Sequence, residues 1–141
     1  MSKFRQIAIC GFALLLFLFY PYSARANSCP NPNELQDTTL DEQEELLQAL
    51  HSLVPEIFRG DVFVNWEVMS ATPFPMTIGK QEESPFFEWA KQMCGGQVTE
   101  KSWLVRLYFP TLADLRSHFS ERQLFVAKNQ QNDWFVWYQY D

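Results

Sequence analysis

Two histidines and a scatter of carboxylates are the residues of this 141-residue chain that could move a proton. His51 falls between Leu50 and Val54 at a helical position near Pro55, and His118 sits beside Ser117 and close to Ser120. A histidine next to a serine has the parts of a base and a nucleophile, but neighbours along a chain seldom aim at one another. Glu34, Asp37, Asp41, Glu42, Glu44 and Glu45 form an acidic run with no base inside it. A cation site would need such carboxylates to converge from a loop turned by a glycine. These instead lie before and along one side of a capped helix, which reads as a solvated face. Asp61 and Glu67 fall on one expected strand about 20 Å apart, beyond the roughly 5–10 Å of paired glycosidase carboxylates. Glu67 is placed to pair across strands with Arg106. The spacings of a zinc protease, a serine nucleophile elbow and a Gly-rich phosphate loop are absent. The sequence therefore assigns no catalytic residue, no cofactor and no metal, and leaves His51 or Glu67 as the general base of a pocket, if one forms.

Three cysteines are present, at 10, 29 and 94. Cys10 lies in a greasy N-terminal segment, and the other two are expected to pair, as two cysteines in an exported chain do. The Pro- and Asn-rich stretch around Cys29 forms neither a helix nor a central strand. A bridge to Cys94 would pin it.

Aromatic residues are the unusual feature, at 16% of the chain. On the last expected strand Trp134, Val136, Tyr138 and Tyr140 share one face, and Phe135 and Trp137 the other. A strand with one wet face should not be aromatic on both sides. Either the sheet is covered on both faces, or Phe135 and Trp137 form an aromatic surface for an apolar ligand, a glycan or a partner protein.

The elements that must position these groups follow a signal. Lys3 and Arg5 precede a fourteen-residue apolar run, Ile7 to Tyr20, and then Ala24-Arg25-Ala26. That is the order of a secretory signal peptide over 1–26. Fourteen helical residues cover only about 21 Å of a roughly 30 Å hydrocarbon core, so cleavage is expected rather than anchoring. Without Lys3, Arg5 and Arg25 there remain eight basic against 17 acidic residues, a net charge of −9. Nucleic acid and anionic lipid are poor partners for such a surface.

Residues 27–38 read as an extended segment tied by the disulfide, and 39–141 as a single domain. Thr39 and Glu42 form a capping box, and Leu46, Leu47, Leu50, Leu53, Val54, Ile57 and Phe58 then stripe a helix over 40–59, weakened at Pro55. Alternation of Val62, Val64, Trp66 and Val68 predicts a strand over 61–70, and Met76 to Ile78 a short edge strand. Ser84-Pro85 opens a second helix that ends at Gly95-Gly96. Strands are expected over 98–109, 123–128 and 134–140, with a five-residue hairpin loop at 129–133 and an ambiguous helical stretch at 111–119.

Helices on one face of an antiparallel sheet make an α+β layer. The expectation is a curved antiparallel sheet of four to five strands packed against two helices. Its element order resembles an NTF2-like cone, or else a cystatin-like arrangement, by topology and not by any residue motif. The leading functional expectation is an exported small globular protein, a non-catalytic binding or accessory domain of the cell envelope or extracellular space. Its partner would be a protein, a glycan or a small apolar ligand. One alternative is a small-pocket enzyme of hydrolase or lyase type using His51 or Glu67; another is a structural envelope protein with no ligand.

Overall fold

Leu46, Leu50 and Val54 are fully buried, and their spacing is why residues Gln43–Ile57 coil into helix α1. In the computed structural model, residues 28–115 and 119–140 are described. The expected signal at 1–26, with Cys10, and His118 lie outside these residues. A 3-10 turn at Leu40–Glu42 leads into α1, and the Thr39 amide donates to the Glu42 carboxylate at 3.4 Å. The helix runs through Pro55, which has no amide to give the His51 carbonyl.

Four antiparallel strands follow one another in an open meander: β1 Glu67–Pro73, β2 Ser102–Tyr108, β3 Glu121–Lys128 and β4 Trp134–Tyr140. The central two are apolar on both sides. Trp103, Val105, Leu107, Leu124 and Val126 pack with α1 on one face, while Leu104, Phe125 and Ala127 join a second core on the other. Two greasy faces need two covers. The second consists of α2 (Ser84–Cys94), α3 (Gly96–Glu100), the turn Phe74–Thr77 and the segment around Leu35. The helices thus flank the sheet, rather than sharing the single face expected from sequence.

Several boundaries differ from the sequence reading, each for a packing reason. Residues 61–66 do not extend the strand. Gly60 adopts a positive φ of 116°, and Asp61–Phe63 coil into a 3-10 turn. Strict alternation would part Val62 from Phe63, whereas the turn sends both to the core, where Phe63 meets Phe58 and Phe109 at ring distances of 5.4 and 5.1 Å. Met76 to Ile78 is no strand, since Phe74–Thr77 winds into a turn that buries Phe74. The strand expected from Val98 begins at Ser102 instead. Gly95, at φ 83°, redirects the chain into α3, which buries Val98 beneath the second core. The ambiguous stretch after Phe109 forms α4, Pro110–Leu115, with proline at its first position.

Two bulges reset the faces. In β1 the register slips between Val68 and Ser70, and in β4 the slip leaves Trp137 as the extra residue between Val136, opposite Val126, and Tyr138, opposite Phe125. Trp134 and Val136 therefore face α1, but Phe135, Trp137 and Tyr138 all join the second core. The expected grouping of Tyr138 and Tyr140 with Trp134 ends at the bulge. The hairpin loop is as expected: the Asn129 side-chain oxygen accepts from the amides of Gln131 and Asp133, and Asn132 takes a φ of 68°.

Candidate functional site

His51 and Glu67, singled out separately in the sequence, meet at one groove. Burial of Leu50 and Val54 leaves His51 on the exposed flank of α1, and the anchored turn at Phe63 carries the chain back past it. Trp66 packs partly on the α1-side core, and its ring lies 5.5 Å from the His51 ring at a 52° tilt. Glu67 then enters β1 opposite Tyr108, and Pro110 starts α4. His51, Val64, Asn65, Trp66, Glu67 and Pro110 line a solvent-open groove of about 590 Å³. That is within the range of roughly 300–1,000 Å³ usual for small-ligand sites.

This arrangement can recognise more readily than it can catalyse. Among the described residues neither His51 nor Glu67 has a hydrogen-bonding partner to fix its direction, and both are exposed. A general base needs a neighbour that orients it. The groove instead offers the Trp66 ring, the Asn65 amide and the largely exposed Val64 (69% of its surface), with Glu67 at the end of β1 on its edge.

Glu67 and Arg106 do share a sheet face, because Glu67 opposes Tyr108 and Ser70 opposes Arg106 across the β1 bulge. They do not pair. The Arg106 guanidinium forks to Glu82 at 2.8 Å and Glu121 at 3.1 Å. Burial alone would lower its pKa, but the hydrogen bonds it donates to these two carboxylates outweigh that and raise it.

The acidic run is not wholly solvated. Glu42 and Glu45 reach Lys128 of β3 at 3.2 and 2.9 Å, and Glu45 also accepts from the Trp134 indole at 3.0 Å. The Lys128 ammonium lies 5.4 Å from the Trp134 ring centre. Hydrogen bonds from Lys128 and Trp134 hold Glu45 below its ordinary 4.5, and the Glu45 bond is the main cause raising Lys128 above 10.5. A lowered acid stabilises above its unfolded pKa and loses that contribution as pH falls through the folded value; a raised lysine stabilises below its unfolded pKa and loses it as pH rises through the folded one. Lys128→Met should therefore lower the urea midpoint between about pH 5 and 10, with the gap from wild type narrowing beyond either end. A gap independent of pH would show that the lysine contributes only packing.

Cys29 and Cys94 are bridged, with Cα atoms 5.3 Å apart. The segment so held is not simply extended. It makes a 3-10 turn at Pro32–Glu34, bridges Leu35 to Asn129, and receives the Lys101 ammonium on the carbonyls of Pro32 and Leu35. Of the expected aromatic surface, Trp137 is 4% exposed and donates its indole N–H to the Ser102 hydroxyl at 3.0 Å. Phe135 is half-buried and lines a smaller groove of about 320 Å³ between this segment and the hairpin loop. Among the described residues the exposed rings are instead Phe119, Trp89 and Tyr140, the last two 6.1 Å apart.

Among the described residues no group of three or more His, Cys, Asp or Glu is placed to hold a metal ion, and no helix is long and apolar enough to cross a membrane. Compared with known proteins, the chain matches no family model, no curated protein and no solved structure.

Proposed function

We propose that this protein is an exported, disulfide-stapled α+β domain that acts by binding, with the groove beside Trp66 as its recognition face. The observation that carries this reading is the juxtaposition of His51, Trp66 and Glu67 around one open groove with no group orienting either titratable side chain. Export is supported by the N-terminal sequence pattern and by a disulfide of the kind oxidising compartments sustain. The filled spaces on both sides of the sheet support a surface site rather than an interior one.

The rival enzyme of hydrolase or lyase type would use the same two side chains, so one assay separates the readings. Hydrolysis of p-nitrophenyl acetate by the wild type, His51→Ala and Glu67→Gln should stay within about twofold of one another, as for an unactivated surface imidazole. A loss of about 100-fold in His51→Ala would restore the enzyme.

A further inference from the structure

Strand β4 is an open edge of the sheet: among the described residues it pairs with β3 on one side and with no strand on the other. A bare edge is a template for another strand, and proteins guard it with charge or proline. The opposite edge, β1, carries both, in Glu67 and Pro73. Strand β4 carries neither; Trp134–Tyr140 holds no formal charge and five aromatic residues. We propose that β4 is an interface between two copies of this chain, paired antiparallel, edge to edge, and related by a two-fold axis.

Charge selects a second copy as the occupant. With 17 acidic against eight basic residues after position 26, two copies repel over most of their surface and can approach where charge is missing. Interface cores are poor in charge and rich in Trp, Tyr and Phe. Antiparallel pairing of one strand with itself is also self-complementary, as a two-fold contact requires.

The bulge at Trp137 fixes the register. Trp134 and Val136 face α1, and so does Gln139, which opposes Leu124 of that core. Phe135, Trp137 and Tyr138 face the second core, as does Tyr140, whose ring lies 5.5 Å from that of Phe86. Like faces meet along the strand when Phe135 of one copy opposes Tyr140 of the other, Val136 opposes Gln139, and Trp137 opposes Tyr138. A slip of one residue sets α1-side residues against second-core residues. The matched register brings the exposed Tyr140, with Trp89 6.1 Å away, beside the groove of about 320 Å³ that Phe135 lines with Pro30 and Leu35. Each copy thus offers an exposed ring pair to the other's ring-lined groove.

The test is sedimentation velocity of the purified, disulfide-intact protein between about 5 and 500 µM, the span of weak self-association. A monomer should give way to a dimer of twice its mass. Over the same range the ¹⁵N amide shifts should move along 134–140 and at Glu34 and Gln131 of the groove, while those of β1 stay still. Tyr140→Lys should weaken the dimer about tenfold or more, although it lowers the net negative charge, and Trp89→Ala several-fold. Trp89 lies on the exposed flank of α2, so its variant keeps the test open if Tyr140→Lys disturbs β4. Met69→Lys, the same added charge at an exposed position of the opposite edge, should leave the dimer unchanged. A protein that stays monomeric throughout would overturn the proposal. So would a dimer that both β4-side variants leave intact, one that Met69→Lys dissolves, or shifts confined to the groove beside Trp66.

Discussion

Trp137→Ala should unfold at a much lower urea concentration than the wild type, with about 3–5 kcal/mol lost at unchanged m-value. The ring is almost fully buried and packs against Phe125 at 5.2 Å and Tyr138 at 6.4 Å. It is also the bulge residue, so it fills the second core at the point where the pleat of β4 is reset. Truncation removes the ring's transfer energy, leaves a cavity lined by Phe125, and takes the indole donor from a buried Ser102 hydroxyl that itself donates to the Val98 carbonyl at 2.7 Å. Each of those losses is of the kind that produces large effects. Phe135→Ala, at a half-buried position, should cost distinctly less. A Trp137 variant as stable as wild type would contradict the packing described for this face.

Removal of the bridge, by Cys29→Ser with Cys94→Ser, should cost up to about 4 kcal/mol on the chain-entropy account of a 65-residue loop. The damage should be concentrated in the segment from Cys29 to Gln36, read as lost protection of the Gln36 amide, which donates to the Lys128 carbonyl at 2.9 Å. Thiol titration of the denatured, unreduced protein should find neither Cys29 nor Cys94 free. Two free thiols would refute the pairing, and an unchanged midpoint in the double variant would mean that Leu35 and Lys101 hold the segment by themselves.

Local signals carried much of this architecture. The stripe of α1, the proline-and-glycine bracketing of α2, the Asn-rich hairpin loop and the two cysteines after position 26 all rest on contacts or caps within a few residues, or on counting. What escaped was set by distant partners. The bulges at Met69 and Trp137 have no residue signature, yet each moves every later side chain to the opposite face. Val62, Val64 and Trp66 alternate as a strand would, but the ring trio of Phe58, Phe63 and Phe109 decided that stretch. The clasp of Lys128 by Glu42 and Glu45 spans 83 to 86 residues and left no trace in a run read as solvated. Of the candidate site, His51 and Glu67 were each legible as titratable groups. Their meeting across Trp66 required the Gly60 turn, which no pattern of two or 3.6 residues reports.

The N-terminal segment docks on the hairpin loop from the far end of the chain: Gln36 bonds Asn129 and Asn132 across 93 and 96 residues. Synthesis runs from the N-terminus, so Cys94 emerges before that loop, by about 2–8 s for the intervening ~40 residues at 5–20 residues per second. With export as proposed above, and both thiols in an oxidising compartment before synthesis ends, the bridge can close while β3 and β4 are still absent. A segment already fastened to the end of α2 then waits beside the place where the loop will arrive, and the search for the longest-range contacts of the fold shrinks to a local one.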